Sequence, residues 1–91
     1  VITGIEIGTG GIHLLVFPNP ASGTAFVQLA NSDILPCDLR ITDLRGRLLF
    51  QQHNVDLSTK FEIDLHDFAA GTYIVEVAQN GIRRTVRLAI Q

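Results

Sequence analysis

Leu65-His66-Asp67-Phe68-Ala69-Ala70-Gly71-Thr72-Tyr73-Ile74-Val75-Glu76-Val77 divides into a corner and a strand. Gly71 separates the two, because a residue without Cβ takes the positive φ that ends an irregular segment at no steric cost. Beyond it the side chains alternate, with Tyr73, Val75 and Val77 on one face and Thr72, Ile74 and Glu76 on the other. Such a period of two predicts a half-buried strand. Tyr73 stands at its start, just after Leu65 and Phe68. The ring is placed to enter a core while the hydroxyl bonds upstream backbone, the arrangement of a tyrosine corner.

The segments on either side carry the same period. Upstream, Lys60 to Leu65 sets Phe61, Ile63 and Leu65 against Lys60, Glu62 and Asp64. Downstream, Gln79-Asn80-Gly81 is a strong hairpin signal. It leads into a last strand, Ile82 to Ile90, with Arg83, Thr85 and Arg87 outward, Val86, Leu88 and Ile90 inward, and Arg84 interrupting the inward set near the turn. Cys37 to Thr42 alternates with Cys37, Leu39 and Ile41 inward. Asp43-Leu44-Arg45-Gly46 is a tight turn, with Asp at its first position and Gly where a left-handed residue closes a bulged hairpin. The return strand, Arg47 to Gln52, is expected to point Leu48 and Phe50 inward. His53 to Thr59 reads as polar and irregular.

Nearer the start, Ala25 to Leu29 is a strand with Ala25, Val27 and Leu29 on one side and Phe26 on the other. His13 to Phe17 is a short apolar strand that Pro18-Asn19-Pro20 is expected to stop, since each proline lacks an N–H and extends the residue before it. Ala21-Ser22-Gly23-Thr24 then completes a turn. Residues 1–12 read as a linker to an upstream domain and residues 13–91 as the folded domain. Four glycines within Val1 to Gly11 make a poor strand and no helix. Gly8-Thr9-Gly10-Gly11 lacks the following Lys and the strand–loop–helix context of a phosphate loop. About seven short strands with turns every eight to twelve residues or so predict an all-β, immunoglobulin-like antiparallel sandwich.

Composition agrees with a single small globular domain. The chain has 91 residues, 46% of them hydrophobic and 18% charged, with a net charge of -2. A nucleic-acid partner calls for a strongly basic face, which this balance does not supply. No run of roughly 18 apolar residues offers a membrane span. Cys37 is the single cysteine, so packing rather than an intramolecular disulfide must stabilise the fold. The chain does not begin with Met, which suggests a piece of a longer protein with any export signal upstream.

Residues for chemistry are present but unarranged. Ser22, Ser32, Ser58, Cys37, His13, His53 and His66 lie in neither a nucleophile elbow nor a papain-like context, so no catalytic residue is assigned. The three histidines form no metal-binding pair. Asp33, Asp38, Asp43 and Asp56 lack the spacing of a calcium loop. No metal or cofactor is expected. Arg45, Arg47, Arg83, Arg84 and Arg87 suit solvated strand faces and edge protection, or else a docking stripe for an acidic partner.

Taken in order, the turns resemble a known family. Val16-Phe17-Pro18-Asn19-Pro20-Ala21-Ser22-Gly23 resembles its opening Pro-Asn-Pro-x-x-Gly motif. Ile41-Thr42-Asp43-Leu44-Arg45-Gly46-Arg47-Leu48 resembles its central Asp-x-x-Gly hairpin. Leu65-x-x-Phe68-x-x-Gly71-x-Tyr73-x-Val75-x-Val77 resembles its Leu-x-x-Gly-x-Tyr strand, and Arg87-Leu88 stands at its usual Lys-Leu position. The family is the type A C-terminal sorting domain of cargo exported by the type IX secretion system of Bacteroidetes, and the resemblance covers about Leu15 to Gln91. Its members lie at the end of their proteins, and this sequence stops just after its last strand.

The resemblance implies a secretion signal with no reaction of its own. Upstream cargo would pass through the periplasm, the outer-membrane translocon would recognise the domain, and a surface sortase would commonly remove it. Thr3 to Gly11 would suit the cleaved segment, and the cargo would reach the cell surface or the extracellular space. Candidate residues for recognition or for the fold motifs are Pro18, Asn19, Pro20, Gly23, Asp43, Gly46, Gly71, Tyr73, Arg87 and Leu88. An unpaired edge on the last strand could add to a receptor sheet or swap between two copies as a dimer. The rival reading is an extracellular binding or spacer sandwich appended to an enzyme, for adhesion or carbohydrate binding. The lack of Trp, the single Tyr and five Phe largely at inward or turn positions argue against a sugar-stacking platform.

Overall fold

The computed structural model describes residues 5–7, 13–30, 36–79 and 81–91, and every regular element among them is a strand. These are β1 (Ile5–Ile7), β2 (His13–Ser22), β3 (Thr24–Ala30), β4 (Cys37–Asp43), β5 (Leu48–Val55), β6 (Phe61–Asp64), β7 (Gly71–Gln79) and β8 (Ile82–Ile90). Strands β2 to β8 are the seven expected, and β1 adds a short antiparallel partner to β2 within the glycine-rich start. The segment Gly8-Thr9-Gly10-Gly11, residues 31–35 and Asn80 of the last hairpin lie outside the described residues.

Two antiparallel sheets result. One joins β1, β2, β3 and β6; the other runs β5-β4-β7-β8. The alternating residues decide which faces meet. Leu14, Val16, Ala25, Val27, Leu29 and Ile63 from the first sheet pack against Leu39, Ile41, Tyr73, Val75, Val77, Val86, Leu88 and Ile90 from the second. Leu14, Leu39, Ile41 and Leu88 are wholly shielded from solvent, and each such side chain contributes about 1.5–3 kcal/mol relative to exposure. Among the described residues no polar or charged side chain is buried.

Four expectations need correction. Pro18-Asn19-Pro20 does not stop the strand: β2 continues to Ser22. Its pairing with β3 is interrupted between Phe17 and Ser22, and within that gap Ala21 pairs in parallel with Ile90 of β8. The prolines remove two ladder donors from one sheet, and the chain crosses to the other. The turn falls at Gly23, whose φ is +85°.

Leu48 does not point inward. The β4–β5 register shifts between Ile41 and Thr42, opposite Phe50 and Leu48 respectively. The extra residue reverses the alternation, so Leu48 is 43% exposed while Phe50 packs against the core. Nor is the segment after Gln52 wholly polar and irregular. His53–Val55 completes β5, and Val55 and Leu57 are buried where the chain passes from the second sheet to the first. Leu57 accepts a bond from the Leu29 N–H at 2.8 Å. Finally, the aromatic residues divide differently: Phe50, Phe61 and Phe68 pack on the core, but Phe17 and Phe26 pair across β2 and β3 at 5.8 Å on the opposite face.

Candidate functional site

Most of the residues singled out in sequence lie at one end of the sandwich. Asp43, Tyr73 and Leu88 occupy one cross-strand row over β4, β7 and β8. Gly71 pairs with Ile90 beside it. Gly46 closes the turn after Asp43 with φ +89°, and Gly23 meets the corner by accepting the Leu65 N–H at 2.8 Å. Pro18, Asn19 and Pro20 complete the row beyond β8.

Asn19 makes that last connection with its side chain. Its Nδ2 donates to the Arg87 carbonyl at 2.7 Å, and its Oδ1 accepts the Ala89 N–H at 3.0 Å. Two residues on, the Ala21 carbonyl accepts the Gln91 N–H at 2.9 Å. A strand lying parallel to β8 would satisfy the same groups in the same sequence. The Asn19 amide therefore stands in for one rung of backbone around Leu88, at the point where flanking prolines supply no N–H. The peptide bonds before Pro18 and Pro20 are both cis. Ala21 is fully buried, while Pro18, Pro20 and Arg87 remain exposed.

The corner and hairpin are closed by local bonds. The Tyr73 hydroxyl donates to the Ala69 carbonyl at 2.6 Å, and its ring meets Phe68 edge-on at 5.4 Å. Asp43 Oδ1 accepts the N–H groups of Arg45 and Arg47, each at 2.9 Å, and Oδ2 lies 3.2 Å from Arg47 Nε. The Arg47 N–H is the chief cause holding the Asp43 carboxyl below its ordinary range. Asp64 is likewise lowered, first by the His66 N–H and then by the His66 ring. Asp56 is lowered by the hydroxyl and N–H of Ser58.

Chemically, this end presents shape and backbone, and its acidic side chains are engaged locally. Asp43, Asp56 and Asp64 each serve their own turn, and Asp38 contacts His53 at 3.1 Å; Asp33 lies outside the described residues. Among the described residues no group of three or more His, Cys, Asp or Glu could hold a metal. Cys37 is buried, and its thiol is pushed up by that burial and then by the charges of Asp38 and Asp56. The arginines form no single stripe: Arg47 bonds Asp43 at the hairpin, whereas Arg83 bonds Glu76 at 2.8 Å. No described helix is long and apolar enough to cross a membrane.

The last strand's outer edge is also occupied where the sequence reading left it unpaired. Asn19 covers Arg87 and Ala89, Ala21 covers Gln91, and Arg84 Nη1 donates to the Arg83 carbonyl at 2.9 Å. Sequence reasoning named both Asn19 and Arg87 but not their junction. The signal lay in the placing of Asn between two prolines, where its side-chain amide offers a separate donor and acceptor to replace a missing backbone rung.

In three dimensions the chain is similar to a DUF3244 family protein with an immunoglobulin-like β-sandwich fold from Bacteroides vulgatus. The TM-score is 0.76 over 100% of both chains, at 18% identity, a likeness that establishes the immunoglobulin-like sandwich. Among curated proteins none matches. The model of the secretion system C-terminal sorting domain matches residues 15–91, a span that takes in the Asn19 junction, the Asp43 hairpin, the Tyr73 corner and the last strand. The chain therefore belongs to the C-terminal sorting domains of the type IX secretion system, which mark cargo for export to the cell surface or extracellular space.

Proposed function

We propose that this domain is the non-catalytic signal by which an upstream cargo, once in the periplasm, is handed to the outer-membrane translocon. A surface sortase then removes the domain, within the glycine-rich Thr3 to Gly11 stretch. The observation that carries this reading is the family match over residues 15–91. The motif residues' common location at one end of the sandwich supports it, because a receptor reads a folded signal through surface features that the core does not consume. Proteins with this fold and role are typically non-catalytic, in keeping with the scattered titratable groups.

The test is a fusion of Val1–Gln91 to the C-terminus of an inert reporter with an ordinary export signal. It is expressed in a type IX-competent bacterium, beside a translocon-deficient strain. Reporter at the surface or in the medium only with both tail and translocon is the expected result. A folded fusion retained in the periplasm of the competent strain overturns the reading. The carbohydrate-binding alternative gains little from the Phe17–Phe26 pair, since Lys60 Nζ sits 5.2 Å from the Phe26 ring centroid and occupies that face.

A further inference from the structure

We infer that the recognised element is not the C-terminal strand as a linear peptide. It is the composite surface created when the Asn19 amide fixes the Arg87–Ala89 backbone, with Asn19 as its positioning residue. This rests on the sorting reading above and specifies what the receptor reads.

Three observations carry it. First, the Asn19 contacts span 68 and 70 residues of sequence, so the junction exists only after the first and last long strands have come together. Secondly, β8 between Arg87 and Ile90 pairs residue by residue with β7 on one side, whereas on the other its only ladder partner among the described residues is Ala21, opposite Ile90. The Asn19 amide supplies the remaining bonds on that side, to Arg87 and Ala89, and an edge segment without such ties opens locally at low cost. Thirdly, the groups fixed in this way are on the outside: Arg87, Pro18 and Pro20 are exposed around the Asn19 amide. Asn19 itself is half-buried, its amide occupied by backbone, so it has little left to offer a receptor. Its part is to hold Arg87 in an extended backbone whose side chain projects from the sheet beside the two prolines.

The experiment uses the Val1–Gln91 reporter fusion with Asn19→Ala, Arg87→Ala, the double variant, and Val55→Ala as a control. Val55 is buried at the opposite end, so its truncation lowers stability without touching the junction. Amide exchange on the 91-residue chain reports the junction directly. Loss of the two bonds is expected to accelerate Ala89 exchange about tenfold or more, while the far-strand amides of β3 and β4 keep their protection. Export of Asn19→Ala is expected to fall about fivefold or more, below that of a Val55→Ala fusion of equal or lower melting temperature. The double variant should export no worse than Arg87→Ala, because both lesions remove the same surface. If Asn19→Ala does not fold, Asn19→Asp serves in its place, keeping an acceptor for the Ala89 N–H while losing the donor to Arg87. Wild-type export from a folded junction variant overturns the inference and leaves the sorting reading intact. So does export that tracks melting temperature alike in the Asn19 and Val55 variants. Failure of the unaltered fusion to leave the periplasm overturns the sorting reading itself.

Discussion

The Tyr73 hydroxyl lies 2.6 Å from the Ala69 carbonyl, four residues upstream, and that bond pins the corner to the strand it precedes. The ring is buried to 7% exposure, whereas Ala69 is exposed and water can reach its carbonyl. Tyr73→Phe keeps the ring and the Phe68 contact and removes only this bond. It should lower unfolding free energy by about 1 kcal/mol, measured as a fall in the urea midpoint at unchanged slope.

Leu88 and Leu48 should respond differently to truncation. Leu88 is fully buried and Leu48 is 43% exposed. Leu88→Ala leaves a cavity between the sheets and should cost about 2–5 kcal/mol. Leu48→Ala should stay within about 0.5 kcal/mol, as at ordinary surface positions. Equal losses in the two urea titrations would contradict the bulge that turns Leu48 outward.

Gly46 tests the hairpin's backbone. Its φ is +89°, and a Cβ built there meets nothing within 4 Å. The cost of Gly46→Ala is therefore conformational, and about 1 kcal/mol is expected. Thermal unfolding of the pure variant measures it.

Acid should weaken the fold through its turns. Asp43, Asp56 and Asp64 are all lowered from 3.8 in the folded chain, so the unfolded chain takes up protons first as pH falls. Their stabilising contribution is complete above about pH 4 and is lost as pH drops through the folded values. Urea midpoints should be flat near neutrality and decline below about pH 4. Asp43→Asn should show a smaller decline, because its turn no longer depends on an ionised carboxylate.

Cys37 should resist thiol reagents while the chain is folded. Its side chain is 1% exposed, and its thiol is raised first by burial and then by Asp38 and Asp56, so little thiolate is available. A disulfide-exchange dye should react slowly with the native chain and readily in urea. Fast native labelling would contradict this packing.

The fold was legible wherever a local rule governed it. Asp43 and Gly46 stand at fixed positions of one turn, and the face of Tyr73, Val75 and Val77 follows from a period of two. The same period failed at Leu48, where a single extra residue between two pairings shifts the phase and no sequence rule marks it. Proline's missing N–H suggested an end at Pro18, but it equally permits a strand to leave one sheet for the other. Val55 and Leu57 are buried because the chain crosses between sheets there, which a polar segment does not announce. The candidate residues at the site could be named singly from turns and motifs. Their union could not, since the bond from Asn19 to Arg87 joins positions 68 residues apart and depends on which strands become neighbours.

The parallel pairing of Ala21 with Ile90 also determines how the domain bears force. Tension applied between the start of β2 and the Gln91 end pulls the two strands along each other in opposite directions. The Asn19 contacts with Arg87 and Ala89, and the Ala21 contact with Gln91, then resist together in shear instead of opening one by one as in a peeled hairpin. A load applied along that line would therefore meet several bonds at once at this clasp.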